Sequence, residues 1–477
     1  MRSRKPLVGL TVLTFASAFA GWQALGSTAT HATLALFAVL PLHAVQAAQI
    51  ASDPTAVRAR YVTIDAAALP PSSDRGPARE PALPLDLFPD VSVRAIFDRF
   101  DPNADGVTWV GHVEGVPMSS VTLVYSAGLV AGSVVTPAGS YSIRPAPEEI
   151  RRANPSGSRE LHVVTELNQA GFLKEAPPIE VQLSAAAVAA AADAVVTDTA
   201  DVVDVMVVYT QTAMSTSGGA AAIANLINLG VSETNTSYIN SGIAQRLRLV
   251  HSAQVGYAES NAFSTNLNDL RSGVGALSGV AALRESFRAD LVMLVVRPSQ
   301  PDACGIGFLM TNISNAFAPS GFNVVDASCI ANFTFAHELG HNMGARHDWY
   351  VDSATTPFSY AHGFVNPASG QRWRTIMAYP DHCSDQGFAC NRVLYWASPT
   401  TQYLPYCTGR GFNCAQLRYW FFPGAAMGVQ GGTNTTCRVG IAPTSACDAD
   451  DARALNATAL TVANFRQAPP ALDGRRP

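Results

Sequence analysis

Residues 331–348 read ANFTFAHELGHNMGARHD, and no other stretch of the chain constrains its architecture and chemistry as tightly as the spacing of these histidines. His337 and His341 are four residues apart, so on a helix turning about 100° per residue their side chains differ in direction by only about 40°. Both imidazoles then reach a single metal ion. Glu338 stands beside the first of them, close enough to hold a water at the metal without completing the coordination itself. Gly344 lets the chain leave the helix through a left-handed conformation, which swings His347 back as a third ligand. Three protein ligands leave one position for water, the arrangement of a catalytic zinc site, whereas structural zinc sites are closed. The competing reading is a cluster of satisfied core histidines.

A bare His-Glu-x-x-His is a short motif. Its extension by Gly344 and His347 is much rarer by chance and is the signature of the metzincin zinc peptidases, which this chain resembles. The resemblance implies a methionine turn beneath the metal, and Thr375-Ile376-Met377-Ala378-Tyr379 supplies one, with Met377 30 residues after His347. Asp348 resembles the reprolysin-like branch, in which that aspartate braces the active-site helix. FAHELGHNMGARHDW, RTIMAYP and RVLYW together resemble the bacterial peptidyl-Asp metallopeptidases, over most of Asp201 to Arg466 and most closely from Cys304 to Pro399.

That resemblance implies a zinc-dependent endopeptidase acting on protein or peptide substrates with one catalytic Zn2+. Glu338 would take a proton from the attacking water and pass it to the leaving amine. Tyr379 resembles the tyrosine of the astacin and serralysin turn, which ligates zinc or hydrogen-bonds the transition state; packing behind the metal is the equal alternative. Cleavage on the amino side of aspartate is also implied and requires a cationic pocket. Arg392, Arg374 and Arg372 are the candidates, Arg392 foremost, and ordinary surface arginine is the competing explanation for each. A rival of another class is an inactive secreted binding protein on the same scaffold, gripping a partner through Tyr403 to Cys437. A thermolysin-like enzyme with a glutamate third ligand would leave His347 and Met377 without a task.

Outward from the motif, Gly305 to Met310 reads as an edge strand on which Gly305, Ile306 and Gly307 would pair with an extended substrate. Val202 to Tyr209, Leu247 to Val255, Asp290 to Val296 and Phe322 to Asp326 read as further strands, and Gly219 to Ile239 as a helix. Strands alternating with helices indicate an α/β fold, a mixed, mostly parallel twisted sheet carrying the active-site helix. This domain is expected from 199 to 467, with about 403–437 as an insertion and 468–477 as a tail.

Upstream, Val91 to Val181 alternates apolar and polar residues, as in Thr108 to Val113 and Ser120 to Tyr125, the pattern of short strands. Residues 48–198 are therefore expected to form a small β-rich unit, ending in an alanine-rich helix or linker at Ser184 to Ala192. Its strand pattern resembles the propeptide of the same group, an intramolecular inhibitor that would assist folding and block the cleft. Lacking cysteine, it would act through a carboxylate on the zinc or through steric cover; a retained substrate-binding module is the alternative. Asp101 to Gly106 imitates the start of a calcium loop, but His112 stands where a bidentate glutamate is needed, so Ca2+ binding has no support and a polar turn is expected.

The chain begins Arg2-Ser3-Arg4-Lys5, then runs apolar from Leu7 to Ala20 and from Ala32 to Val45. Residues 1–47 read as an export signal, with a membrane hairpin as the alternative, and no later segment is long and apolar enough to span a bilayer. Among 477 residues the formal charge is -5, and those first residues carry three bases and no acid, so the remainder is more acidic still. That balance disfavours nucleic acid and anionic membranes as partners. Lysine occurs only at positions 5 and 174, which with the alanine excess suggests a GC-rich bacterial genome. All eight cysteines lie between Cys304 and Cys447. An even number behind an export signal reads as disulfides in an oxidising compartment. The short separations favour Cys383–Cys390, Cys407–Cys414 and Cys437–Cys447, leaving Cys304–Cys329, among 105 connectivities for eight cysteines. The expectation is a secreted bacterial monomer without a membrane anchor.

Overall fold

Leu291–Val296 is buried at every position and Val202–Thr210 at nearly every one. Strands without polar alternation need cover on both faces, the condition of a parallel sheet flanked by helices. They lie in a six-stranded sheet whose spatial order is Ile179–Glu180, Gly305–Leu309, Phe322–Asp326, Leu291–Val296, Val202–Thr210, Arg246–Val255. Every pairing is parallel except that of Gly305–Leu309 with Phe322–Asp326. The computed structural model describes residues 53–64, 82–101, 103, 106–153, 160–192, 198–368, 372–403, 425–432 and 447–467, and the backbone of 37–39.

One end of this sheet differs from the expectation. Gly305–Leu309 is not an open edge, because Ile179–Glu180 from the N-terminal half lies parallel beside it, with Ile179 opposite Phe308. The unpaired amides and carbonyls of an edge strand recruit any extended chain within reach.

The N-terminal half is a nine-stranded antiparallel sheet, running from Phe37–Val39 and Ala56–Ile64 through Glu160–Leu167, Gly139–Pro145, Leu129–Thr136, Ser120–Ser126, Val107–Val113 and Val91–Asp101 to Leu83–Phe88. Its middle strands are buried on both faces because helix Ala220–Asn240 lies across them. Val124, Ala131 and Leu229 form a small apolar contact there. The rest of that boundary is largely polar. Ser126 Oγ donates to Asn225 Oδ1 (2.5 Å), Ser133 Oγ to Glu233 Oε1 (2.6 Å) and Arg99 to Thr236 Oγ1 (2.8 Å), and Ser232 Oγ donates to Asp101. The opposite side of the helix presses on the motif helix Thr334–Asn342, where a Cβ on Gly230 would meet the Phe335 ring at 2.7 Å. The two sheets belong to one compact unit, residues 35–477.

Ser184 to Ala192, open between helix and linker, forms the helix Ala185–Ala192. Of the suspected calcium loop, Asp101 spends its carboxylate on Arg99 and Ser232, while residues 102, 104 and 105 lie outside the described residues. Within the expected export signal only Phe37–Val39 is described, paired with Ala56–Ile64. No described helix is long and apolar enough to cross a membrane. Disulfides join Cys304 to Cys329 and Cys383 to Cys390, and Cys447 is disulfide-bonded as well. The expected Cys407–Cys414 pair, the Cys437 end of the fourth bond, the tail and most of 403–437 lie outside the described residues.

Candidate active site

The motif helix, Thr334–Asn342, follows a 3-10 turn, Ala327–Asn332, whose N-cap Asp326 accepts the Ser328 amide. Its far end is held by Asn342, whose Nδ2 donates to Phe308 O (2.8 Å) and Phe322 O (3.0 Å). Gly344 then takes φ +90°, and a Cβ there would press on Pro357 at 2.9 Å. The reversal returns His347 to the other two histidines. Its Nε2 lies 3.1 Å from Nε2 of both His337 and His341.

The remaining ring nitrogens of the helical pair define the tautomer. His337 Nδ1 meets Ile376 O and His341 Nδ1 meets Ala345 O, each at 2.9 Å. A carbonyl only accepts, so both Nδ1 atoms carry the hydrogen and both Nε2 atoms present bare lone pairs. Burial keeps the rings neutral, pushing His337 down to about 4 and His341 and His347 well below the ordinary histidine value. Nitrogens about 2.0–2.1 Å from a tetrahedral zinc stand roughly 3.3 Å apart, close to the spacing found. The donor set therefore fits zinc. Among the described residues these three histidines are the one cluster with metal-binding geometry.

Glu338 is fully buried, and neither carboxylate oxygen has a protein partner. Burial, with Glu175 adding, pushes this carboxyl well above its ordinary value. It is packed against the strand below: a Cβ on Gly305 would lie 2.5 Å from Glu338 Oε1, and one on Gly307 would lie 3.3 Å from Oε2. Ile306 is buried between these two glycines. Their spacing of two puts both on the face of the strand that meets the helix.

Met377 is buried beneath the helix, where a Cβ on Gly340 would come within 2.7 Å of its sulfur and 2.8 Å of Trp396. Asp348 accepts the amides of Tyr379 (2.8 Å) and Tyr350 (3.1 Å). It thus ties the loop of the third histidine to the methionine turn, where a brace on the helix itself was expected. The helix has already ended and the chain reversed at Gly344 before Asp348 is reached. The Tyr379 ring lies 4.0 Å from the His347 ring, and its hydroxyl donates to the carbonyl of Glu175.

The three candidate arginines separate clearly. Arg372 is exposed and stacks over Phe388. Arg374 is buried and spends its guanidinium on Ala378 O (2.6 Å) and Cys390 O (3.3 Å). Arg392, 1% exposed, grips Glu175 with both terminal nitrogens, at 2.5 and 2.9 Å. Thr334 Oγ1 adds a 2.8 Å bond to the same carboxylate. Burial alone would raise the Glu175 carboxyl, but Arg392, with His337 adding, outweighs it and holds it well below the usual range. Sequence reasoning missed Glu175, Thr334 and Asn342. The only signal near Glu175 is Pro177-Pro178, which biases Ala176 and its neighbours to extended backbone.

Residues 199–406 match the reprolysin-like metallopeptidase family M12B. A "Peptidyl-Asp metalloendopeptidase" of Stenotrophomonas maltophilia strain R551-3 is 29% identical over 381 residues, 74% of this chain and 82% of that protein. A Xanthomonas campestris protein of the same name is 28% identical, covering 74% of this chain and 81% of its own. A third, from Pseudomonas aeruginosa, is 36% identical over 199 residues, 37% of this chain and 32% of that protein. Two imidazoles of the signature helix and a third returned by the reversal at Gly344 converge above a methionine turn within the matched stretch, so the chain carries a reprolysin-like M12B metallopeptidase domain at residues 199–406 and is a zinc metalloendopeptidase.

Proposed function

We propose that the protein is an exported endopeptidase that cuts on the amino side of aspartate, with residues 48–198 as its inhibitory propeptide. The observation that carries the specificity is Arg392, a guanidinium buried beside the histidine cluster whose carboxylate partner comes from the N-terminal half. Without that partner, Arg392 would be a buried, uncompensated charge lining the cleft, which strongly favours a substrate carboxylate. The relatives' name points the same way. Disulfides in the catalytic half support export, since they persist in oxidising compartments.

Zinc, when bound to His337, His341 and His347, supplies Lewis acidity to the scissile carbonyl and acidifies the attacking water. Glu338 accepts the proton of that water on its carboxylate and delivers it to the nitrogen of the departing amine as the C–N bond breaks. Tyr379 hydroxyl donates to the carbonyl oxygen as negative charge develops. Gly305–Leu309 pairs with the extended substrate backbone, and Arg392 receives the aspartate side chain.

Digestion of a peptide library by the secreted, zinc-loaded enzyme tests this reading. Cuts should cluster immediately before Asp and cease with a chelator. No enrichment of acidic residues after the cut would remove the specificity assignment. N-terminal sequencing of secreted protein should find a start close to Asp201; retention of the strands from Val91 onward would make the N-terminal half a permanent module.

A further inference from the structure

The chain from Lys174 to Val181 runs beside the strand Gly305–Leu309 almost without a break. Cys304 N–H donates to Lys174 O (2.9 Å) and Ala176 N–H to Gly305 O (2.8 Å). Beyond Pro177-Pro178, Ile179 and Glu180 pair with Phe308 and Leu309, and Thr311 Oγ1 donates to Val181 O (2.9 Å). Glu175 stands where this segment passes the histidine cluster. Its carbonyl receives the Tyr379 hydroxyl and its side chain reaches Arg392, so one residue engages both groups assigned above to substrate.

Gln169 strengthens the same seat by accepting the Arg392 amide and donating to its carbonyl (3.1 Å). A cavity of about 400 Å³, lined in part by Phe172, Glu175, Arg374, Phe388 and Arg392, opens beside the pair. Glu180 makes a second acid–arginine contact, with Arg346 at 2.7 Å, but its side chain is 43% exposed and Arg346 keeps Asp352 as another carboxylate partner at 3.0 Å. Glu175 and Arg392 are 2% and 1% exposed, and no other carboxylate among the described residues reaches Arg392.

We infer that Glu175 is a built-in substrate mimic: it keeps the protease latent by seating its carboxylate on Arg392, in the place an acidic substrate side chain takes, while the flanking segment covers the edge strand. The inference rests on the role given to Arg392 in the proposed function and extends it to how the site is closed. It differs from the carboxylate-on-zinc mode expected from the sequence and gives the expected steric cover a specific anchor. The inhibitory carboxylate is bound by the specificity arginine, and no carboxylate joins the three-histidine cluster. Substrate and Glu175 compete for one buried cation, which is unfavourable when left without a counter-ion.

The test uses the zinc-loaded full-length chain, confirmed intact by mass spectrometry, as wild type, Glu175→Gln and Glu175→Asp. Two readouts are taken: hydrolysis of a quenched peptide library, and labelling of Arg392 by an arginine-selective dicarbonyl. In Glu175→Gln, hydrolysis should rise about ten- to hundredfold over the latent wild type, the equivalent of one lost charge-assisted bond. Arg392 should become reactive, and acetyl-aspartate amide should protect it. Glu175→Asp keeps the charge and should remain latent and shielded, which also guards against a merely misfolded glutamine variant. A folded Glu175→Gln chain that stays latent with Arg392 unlabelled overturns the inference, whatever the processed enzyme prefers to cut. Activation and labelling with cut sites that ignore acidic residues would uphold the latch and defeat the aspartate reading, so the two failures are distinct.

Discussion

Replacing Gly305 with alanine should cripple turnover while leaving the metal site able to bind zinc. An ideal Cβ at that position lies 2.5 Å from Glu338 Oε1, 2.8 Å from Glu338 Cγ and 2.8 Å from Thr334 Cγ2. Unstrained carbon contacts are nearer 3.5 Å, so something must move by roughly 1 Å. The strand has little freedom to retreat, being paired with Val325 and preceded by the Cys304–Cys329 disulfide. Glu338 therefore yields. A misplacement of about 1 Å in a reacting group costs on the order of 100-fold in rate, and overpacking of this size costs about 1–3 kcal/mol of stability. None of the three imidazoles is among the atoms nearest that Cβ. The measurement is kcat of the processed variant with zinc content and Tm alongside. A folded, fully zinc-loaded Gly305→Ala enzyme with kcat within twofold of wild type would refute the placement of Glu338 as the proton acceptor.

Glu338→Gln should retain zinc yet lose about 10²–10⁴ in kcat, read by paired metal analysis and peptide hydrolysis, and normal turnover would reject its role. The N-terminal unit should bind the catalytic domain more tightly in acid. Burial pushes Glu233 from 4.5 up to about 7, against Ser133 and Arg144, and release returns it to its ordinary value. A carboxyl raised in the docked state contributes its full stabilisation below about pH 4.5 and loses it as pH rises through 7, at most about 3 kcal/mol. Dissociation of the cleaved unit at pH 5 and pH 8 checks this, and Glu233→Gln should flatten the difference. Replacing Cys304 and Cys329 together with alanine opens a separation of 25 residues. The expected loss is about 3.5 kcal/mol in denaturant unfolding, by chain-entropy reasoning. No change in midpoint would show that the bond constrains little.

What could be read from the sequence was what local geometry controls. His337, Glu338, His341 and His347 are legible because helical period and one glycine reversal fix their directions over eleven residues. The strands from Val202 and from Phe322 are legible because fully buried strands need apolar runs. Asp348 was found, but its partner was misjudged, because the reversal at Gly344 turns it toward a segment some 30 residues away. Gly305 and Gly307 were singled out for substrate pairing; the absence of a side chain there also admits the motif helix, a contact between separate elements. Glu175 could not be found at all. Its meaning resides in Arg392, 217 residues later, and no spacing rule links a glutamate in an unpatterned stretch to a pocket built by tertiary packing.

Helix Ala220–Asn240 has one flank of hydroxyls, an amide and a carboxyl toward the N-terminal sheet and an oily flank toward the enzyme core. Asn225, Ser232, Glu233 and Thr236 can exchange their present partners for water at small net loss, whereas Ile223, Leu226 and Ile227 cannot. Detachment of the N-terminal sheet would thus bare a wettable ridge with little tendency to clump. Along this helix, the sheet's departure would uncover little grease beyond Leu229, which Val124 and Ala131 now cover.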